Sequence, residues 1–578
     1  MKRLCTLLAA MTTAFSLTAQ TLTVTTGSGS TQIDASQTGT MTYSSSDGTL
    51  TINGTAYNVG DISKMTITES GSDISSETSK TVSVVYSGSS ASVTVSSDIA
   101  GYVSVSQSGA HVNIVQSDDL ADEINYVLSG SSSDGEFYME GSYKATIELN
   151  GLTLTNANPV TSGAAIHIQN GKRINIKVVE GTVNTLTDAA NGSQKSCLYV
   201  KGHAEFKQKG TLNIEGNTSH AIKAGEYISI KNATINVTSA EGDGINCNEY
   251  FLMESGTVNI SGTGDDGIQC DIDGDSSTGE TTDHEDEDSG NIYLEGGTLT
   301  VKVTAADSKG IKAAGDLNIS DGTINVTNTG QSSSSGAAKA IKSEGAMTIS
   351  GGNVTASSSS HEAIESKSTL DISGGYVYAS ASDDAINAAS HLTISGGYVM
   401  ASSSGNDGID ANGNLNIKGG NVFAIATSQP EVGLDANTEG RYSLYISGGN
   451  VVAIGGFENG ASISDGTAKQ TSYSKGKWYA LYNGSDVAFA FKVPSNSNMG
   501  SSMAVYTPNT PALKSEVTAS GSSFWDGNGA TSASGGSEVS LSTYSGGGGM
   551  GGGGNFGGGG GPGGGGPGGG GFNGGGWF

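Results

Sequence analysis

The feature that most constrains this chain is a repeat with a period of about 23 residues. Residues 370–436 hold three successive copies: LDISGGYVYASASDDAINAAS, HLTISGGYVMASSSGNDGIDANG and NLNIKGGNVFAIATSQPEVGLDA. Each copy has an apolar-x-Ile strand, a Gly-Gly turn, a Val-centred strand and a polar turn that leads into Gly or Ala and then Ile or Leu. Self-similarity at a fixed period of this length predicts a solenoid rather than a globular domain.

The period is measured from the isoleucine that follows the polar turn. It recurs at nearly equal intervals in two runs, Ile222, Ile245 and Ile268, then Ile341, Ile364, Ile386 and Ile409. A coil of three short strands and tight turns needs about this many residues. The sequence therefore predicts an all-β protein built on a right-handed parallel β-helix. A leucine-rich repeat competes at this period, but its Asn and Leu ladder is missing.

Composition and repeat regularity divide the chain into five predicted segments. These are a signal peptide over 1–19, an N-terminal β region over 20–118, the β-helix over 119–455, a C-terminal β cap over 456–545 and a disordered Gly-rich tail over 546–578. An acidic loop insertion at 271–290 interrupts the repeat. The basic start and apolar run of the first segment are typical of an export signal, and Cys5 lies too early for a lipobox. We expect a secreted or surface monomer without a membrane span.

The charge balance restricts the partners of this chain. Its formal net charge is −29, with 56 acidic and 27 basic residues. Such a chain repels nucleic acid and anionic lipid and attracts cations. We therefore expect no nucleic-acid partner.

Acidic residues recur in register on adjacent coils of the predicted β-helix. One column lies two places before the motif isoleucine, and a second column follows it directly. Neighbouring coils lie about 4.8 Å apart, so like charges in such columns repel one another. A bound calcium ion, which prefers oxygen ligands, would relieve that repulsion. The candidate ligands are Asp383, Asp384, Asn387, Asp407, Asp410 and Asp435, with a second group of Asp243, Asp265 and Asp266. The alternative is a solvated acidic face that keeps an exported solenoid in solution.

Lysines occupy the same two columns between the acidic groups. Lys309 and Lys339 stack in the first column, and Lys312 and Lys342 in the second. The simplest interpretation is ion pairing with acids on neighbouring coils. The functional alternatives are a patch that binds sugar carboxylates, for which Lys339 and Lys342 are candidates, or a catalytic base, for which Lys309 and Lys312 are candidates.

Aromatic residues cluster on the Val-centred strands of three consecutive coils. Tyr376, Tyr378, Tyr398 and Phe423 take positions that alternate with the inward valine. Flat rings beside polar groups suit the faces of sugars. We therefore expect a carbohydrate-binding platform here, although such rings also suit any strand surface.

The repeat units, (D/E)-(G/A)-I-x-A alternating with L-x-I-S-G-G-x-V, resemble the bacterial carbohydrate-binding parallel β-helix family. That family is related in fold to the family-nine polysaccharide lyases, the calcium-dependent pectate lyases. In those lyases an Asp-Asp-x-x-Asp run holds calcium and a lysine acts as base. Asp383-Asp384-x-x-Asn387, Asn406-Asp407-x-x-Asp410 and Asp265-Asp266-x-x-Gln269 look like variants of the run, each with an amide at one position.

These observations predict an exported carbohydrate-binding protein that holds acidic polysaccharide with calcium on one face of the β-helix. One alternative is a calcium-dependent pectate or polysaccharide lyase that works near Asp266 with Lys309 or Lys312. The other alternative is a non-catalytic surface adhesin.

Overall fold

The structure is a computed structural model that describes residues 20–26, 29–34, 41–44, 46–52, 54–69, 80–272, 288–428, 430–495 and 502–546. The predicted signal peptide, most of the acidic insertion and nearly all of the Gly-rich tail lie outside these residues. The chain divides into two compact units, Met1–Ser79 and Lys80–Phe578. Within the described ranges, no helix has the length and apolarity needed to cross a bilayer.

The first unit contains six strands. They are β1 Gln20–Thr26, β2 Gly29–Asp34, β3 Thr42–Ser44, β4 Thr49–Ile52, β5 Thr55–Asn58 and β6 Ile62–Glu69. They form two small antiparallel sheets, in the strand orders β2-β1-β6 and β3-β4-β5, and a short 3₁₀ helix, Val59–Asp61, precedes β6. Alternation of apolar and polar residues gives these strands one buried face, and Leu22, Val24, Leu50 and Ile52 form the core.

The second unit begins with strands that start the β-helix. The strands are β7 Thr81–Ser87, β8 Ser90–Val95, β9 Val103–Ser108, β10 Ala110–Gln116, β11 Ile124–Ser132, β12 Gly135–Glu140 and β13 Ala145–Thr155. β8 and β9 run antiparallel to β7 and β10, respectively, whereas β7 and β10 pair in parallel with β11 and β12. Residues 80–118 therefore belong to the same compact unit as the coils, although the sequence groups them with the N-terminal region.

The coils follow as a regular series of short strands. They are β14 Ile166–Gln169, β15 Arg173–Val178, β16 Val183–Thr187, β17 Ser196–Val200, β18 His203–Lys207, β19 Thr211–Gly216, β20 His220–Ala224, β21 Ile228–Ile230, β22 Thr234–Ala240, β23 Ile245–Cys247, β24 Tyr250–Met253, β25 Thr257–Ser261, β26 Ile268–Cys270, β27 Asn291–Leu294, β28 Thr298–Val303, β29 Lys309–Ala313, β30 Leu317–Ile319, β31 Thr323–Asn328, β32 Lys339–Ser343, β33 Met347–Ile349, β34 Asn353–Ser358, β35 Ile364–Ser366, β36 Leu370–Ile372, β37 Tyr376–Ala381, β38 Ile386–Ala388, β39 Leu392–Ile394, β40 Tyr398–Ser403, β41 Ile409–Ala411, β42 Leu415–Ile417, β43 Asn421–Ala426, β44 Leu444–Ile446 and β45 Asn450–Ile454.

Each full coil contributes one strand to a 13-stranded sheet and two strands to a 30-stranded sheet. We call the 13-stranded sheet, which carries the motif isoleucines, the motif sheet. The inward residues of one coil, such as Leu370, Ile372, Val377 and Ile386, are fully buried and stack on their equivalents above and below. The predicted parallel β-helix is confirmed, because the near-constant spacing of the repeat keeps these apolar columns in register.

The last strands form a C-terminal module on the final coils. They are β46 Ser462–Ile463, β47 Lys469–Ser472, β48 Trp478–Asn483, β49 Asp486–Lys492, β50 Ser502–Tyr506, β51 Pro511–Ser515, β52 Thr518–Phe524, β53 Gly529–Ser534, β54 Ser537–Glu538 and β55 Ser542–Thr543. Six of them form an antiparallel sheet in the order β52-β53-β49-β48-β51-β54. Its aromatic side chains share a core with Met400, Phe423 and Val452 of the coils. This sheet confirms the predicted C-terminal β cap.

Candidate functional site

The residue after the motif isoleucine forms one continuous column along the motif sheet, which we call the outer column. Because side chains alternate along a strand, this residue faces away from the buried isoleucine. Strand register aligns its members from the first coils to the last: Tyr138, His167, Tyr199, Lys223, Asn246, Gln269, Lys312, Lys342, Glu365, Asn387 and Asp410. Asp435 extends the column, since Leu434 bridges to Ile409. The column therefore changes from aromatic through basic and amide to acidic.

The predicted calcium ligands Asp384, Asn387, Asp407, Asp410 and Asp435 meet at the last coils, and we call this group the acidic end. The backbone N–H of Asp407 donates to Asp384 Oδ1 at 3.0 Å, and that of Val432 donates to Asp407 Oδ1 at 2.6 Å. Each of these two carboxylates therefore uses one oxygen to hold the next coil.

The carboxylates of the acidic end are mostly buried and lie close together. Burial, reinforced by the nearby charge of Asp410, raises the pKa of Asp384 to about 8. Burial likewise raises the pKa of Asp407 to about 7, although the Val432 N–H opposes this shift. Burial also raises the pKa values of Asp410 and Asp435. Near neutral pH the group therefore retains protons that ordinary aspartates release.

Asn387 lies between two of these acids and shields them from one another. Its Nδ2 donates to Asp410 Oδ2 at 2.7 Å and to Asp384 Oδ2 at 3.2 Å. Asp383, at the edge of the group, accepts from Asn406 Nδ2 at 3.0 Å and faces His361 Nδ1 at 3.1 Å. The acidic end thus offers the oxygen ligands that calcium prefers.

The second acidic group is more compact. Ligand oxygens of Asp243, Asp265 and Asp266 lie within 4.8 Å of one another. Burial would raise the pKa of Asp243, but His220 and Asn246 hold it below its usual value. Burial raises the pKa of Asp266 to about 7, although the backbone N–H of Lys309 opposes the shift by donating to its Oδ1 at 2.6 Å.

The lysine columns form ion pairs within the β-helix. Lys339 is only 4% exposed; its Nζ lies 3.1 Å from Glu362 Oε2 and also contacts Glu365. Lys342 Nζ lies 2.5 Å from Glu344 Oε1. The prediction that Lys339 offers an open carboxylate-binding group is therefore wrong, because its charge is buried against two glutamates. Ion pairing with acids on a neighbouring coil, the simpler sequence interpretation, describes Lys339, whereas Lys342 pairs with an acid on its own coil.

The two candidate base lysines have different surroundings. Lys309 Nζ donates to the Asp307 carbonyl at 2.6 Å. Lys312 Nζ donates to Gln269 Oε1 at 3.0 Å and lies 3.6 Å from Asp266 Oδ2. Of the two, Lys312 has its ammonium beside the second acidic group, and a catalytic role for either lysine stays a prediction.

The predicted aromatic platform on the Val-centred strands is covered by the C-terminal module. Phe423 is fully buried and lies 4.7 Å from Phe491 between ring centroids. Tyr376 and Tyr398 pack against Phe524 at 5.1 and 4.5 Å. Tyr378 is half-buried in the same cluster. Phe423 therefore offers no open face, whereas carbohydrate binding by the partly buried Tyr376, Tyr378 and Tyr398 stays a prediction.

A different set of rings lies on the outer column, at the opposite end from the acids. Tyr138, His167 and Tyr199 occupy adjacent coils, with centroid distances of 4.8 Å and 5.0 Å between successive rings. Both Tyr rings are half-buried, and burial lowers the pKa of His167, which keeps its imidazole neutral near pH 7. We call this group the aromatic end. The repeat pattern does not reveal it, because the longer and unequal intervals between these three positions hide the alignment.

A cavity of about 420 Å³ lies beside the aromatic end. Glu140, Gln169 and Lys201 line it, and each follows one of the three rings at the same short interval. Glu140 and Gln169 also hold their rings, since Tyr138 Oη donates to Glu140 Oε2 at 3.3 Å and His167 Nε2 lies 3.0 Å from Gln169 Oε1. The aromatic end therefore places three rings next to a cavity that is lined by acceptor and donor groups.

Comparison with known proteins adds to this geometry. Residues 108–385 match a family described as carbohydrate-binding domain-containing protein. The matched part of the β-helix resembles the carbohydrate-binding domain family, and the match ends before the last coils. The matched residues include the aromatic end, its cavity and the second acidic group. The resemblance inferred from the repeat is thereby confirmed.

Two individual proteins resemble parts of the chain. A carbohydrate-binding domain-containing protein from Acetivibrio thermocellus is 25% identical over 115 residues, 18% of this chain and 39% of that relative. The match thus spans well under half of the relative's length. A solved structure titled as the polysaccharide lyase-like protein from C. thermocellum, gadolinium derivative, is 21% identical, with a TM-score of 0.35 over 46% of this chain and 96% of that one.

Proposed function

We propose that the carbohydrate-binding domain holds an acidic polysaccharide along the outer column, with the aromatic end as its principal contact. The observation that carries the proposal is the row of Tyr138, His167 and Tyr199, whose successive rings meet edge to face, beside a cavity lined by Glu140, Gln169 and Lys201. Ring faces pack against the C–H faces of sugars, while the cavity groups hydrogen-bond to hydroxyls. Lys201 is exposed and supplies a positive charge at the cavity, whose lining also includes the carboxylates of Asp118 and Glu140.

Calcium at the acidic end is part of the same proposal. Asp384, Asn387, Asp407, Asp410 and Asp435 present oxygens at a point where burial and like charges already raise the pKa values of the acids. A calcium ion there would supply positive charge that carboxylates of the polysaccharide also attract. The aspartates would hold the ion, and Asn387 would separate two of them. The second acidic group offers the same chemistry nearer the middle of the column.

Calorimetry with polygalacturonate tests this proposal, with a neutral glucan as the second ligand. We expect saturable binding of polygalacturonate by the full chain in calcium and weaker binding after chelation. Tyr138→Ala and Tyr199→Ala should each weaken binding of both ligands by about tenfold, or about 1.4 kcal/mol. Tyr445→Ala is the matched control, because Tyr445 is 43% exposed on the other sheet.

Three outcomes separate the alternatives. Equal binding by Tyr199→Ala and the parent would contradict the role of the aromatic end. Retained binding of polygalacturonate after chelation would remove calcium from the mechanism. An ultraviolet-absorbing unsaturated product would identify the chain as a lyase, and Lys312→Ala would then test the candidate base beside Asp266.

A further inference from the structure

Three ionisable side chains that the proposed function does not use lie buried together at one corner of the β-helix. They are His203, Glu226 and Glu249, which come from three consecutive coils. Glu226 and Glu249 occupy equivalent places on successive coils, each just before a strand of the larger sheet. One ligand atom from each of the three residues lies within 4.8 Å of the others.

Glu249 is the most informative member of this group. It is only 2% exposed, and its Oε2 accepts no hydrogen bond from the described part of the chain. That oxygen lies 3.4 Å from His203 Nε2, and His203 is fully buried. The separation is long for a charge-assisted hydrogen bond, which is about 2.7–2.9 Å. It matches the distance of about 3.3 Å between two ligands at about 2.0–2.1 Å from a tetrahedral ion.

The charges of the corner also point to a cation. Two carboxylates and one imidazole are buried here, so even a protonated His203 leaves this trio with an excess negative charge. Close by, Tyr227 Oη donates to Glu205 Oε1 at 2.7 Å, and Lys207 Nζ donates to Glu205 Oε2 at 2.6 Å. Arg173 lies one coil earlier, paired in register with His203. A divalent ion would compensate the buried charge of Glu249, whose Oε2 accepts no hydrogen bond within the described residues.

We propose that His203, Glu226 and Glu249 bind a divalent transition-metal ion, with zinc as the best-fitting member of that class. One imidazole nitrogen and two carboxylate oxygens suit zinc, whereas calcium prefers oxygen alone. A water molecule would complete four-coordination. Because the ligands come from three coils, the ion would cross-link them immediately before the insertion at 271–290.

Titration of the full chain with Zn²⁺ tests this site. Excess Ca²⁺ is present throughout, so that the all-oxygen groups are occupied. We expect one Zn²⁺ per chain and a higher Tm after loading. Co²⁺ in place of Zn²⁺ should produce visible absorption typical of a low-coordinate nitrogen and oxygen site. Glu249→Gln and His203→Gln should each weaken Zn²⁺ binding at least 100-fold.

A matched variant separates the site from general charge effects. Glu254→Gln removes the same charge after the following strand, where Glu254 pairs with Lys231 at the surface, and it should bind Zn²⁺ like the parent. Absence of stoichiometric Zn²⁺ binding by the folded parent would overturn the proposal. Parent-like Zn²⁺ binding by folded Glu249→Gln would overturn it too. If Glu249→Gln fails to fold, His203→Gln decides in its place, because His361, Glu362 and Asp383 form another group with one imidazole and two carboxylates, and the parent titration alone does not distinguish the two.

Discussion

At the scale of single residues, Asp384 and Asp407, which lie two places before the motif isoleucine, each have a structural and an electrostatic role. Asp384 Oδ1 accepts the N–H of Asp407 on the next coil, while its other oxygen faces the amide of Asn387. An asparagine at this position keeps the accepting oxygen and removes the charge. The structural and electrostatic contributions of Asp384 are therefore separable by one substitution.

The stability of the chelated protein should fall as pH rises from about 4 to about 8. The pKa of Asp384 is raised from 3.8 to about 8 and that of Asp407 to about 7, so the folded chain holds protons that the unfolded chain has released. Each carboxyl contributes a slope of at most about 1.4 kcal/mol per pH unit. Thermal unfolding in chelator across this range measures the effect.

Calcium and a neutral variant provide the controls for this pH dependence. Saturating calcium should flatten the slope, because it favours the ionised carboxylates. Asp384→Asn should reduce the slope in chelator while keeping the coil contact. A parent protein whose Tm in chelator rises from pH 5 to pH 8 would contradict the assigned pKa shifts.

At the scale of elements, the Gly-Gly turns determine how closely the coils stack. Gly397 has a φ of +78°, and a Cβ atom placed there would lie 2.6 Å from the carbonyl oxygen of Gly374 on the previous coil. Positive φ favours glycine, and the short approach leaves no space for a side chain. The turn therefore requires glycine for two independent reasons.

Gly397→Ala should destabilise the β-helix more than Gly460→Ala does. Gly460 has a similar φ of +81°, but a methyl group added there would have no atom within 4 Å, so alanine costs only the backbone strain of about 1–2 kcal/mol. Gly397→Ala adds a backbone clash worth about 1–3 kcal/mol more. Urea unfolding measures the free energy of unfolding of both variants. Equal losses would show that the coils rearrange around the added methyl group without an energetic penalty.

The C-terminal module should depend on one indole ring. Trp525 is 1% exposed, contacts Phe423 and Phe489, and donates from Nε1 to the Tyr398 carbonyl at 3.1 Å. Trp525→Ala should cost about 3–5 kcal/mol through the cavity it creates. Trp525→Phe keeps most of the volume and should cost less. The rate of proteolytic cleavage within residues 456–545 measures the loss of stability of the C-terminal module. An unchanged cleavage rate in Trp525→Ala would contradict the predicted role of the indole ring.

The repeat predicts the coils well, because each strand pairs with the equivalent strand about one repeat period away in the sequence. Ile386 and Ile409 stack as their spacing requires, and the acidic end follows from the same count. The cover over Phe423 is not predictable in this way, since Phe491 and Trp525 come from distant, non-repeating strands. The aromatic end is not predictable for a related reason, because unequal intervals hide which residues share a column, whereas His203, Glu226 and Glu249 recur at the period of the repeat.

At the scale of the whole molecule, the net charge of −29 makes stability depend on cations. We expect added NaCl to raise the Tm of the chelated protein by screening, and Ca²⁺ to raise it at much lower concentration by binding. Asp410→Asn combined with Asp435→Asn should reduce the Ca²⁺ effect and leave the NaCl effect. If Mg²⁺ at equal ionic strength raises the Tm as much as Ca²⁺, screening alone explains the gain.

At each end of the coils, one strand runs antiparallel to its neighbour. β9 is antiparallel to β10 at the start, and β50 is antiparallel to β45 at the finish. The last strand of an uncovered parallel stack exposes unpaired backbone N–H and C=O groups. Such an edge can pair with a strand of another chain. A reversed strand presents a different spacing of hydrogen bonds, which a parallel coil cannot continue. The sequence therefore fixes the number of coils. We expect that a concentrated solution of the protein does not assemble end to end into fibres.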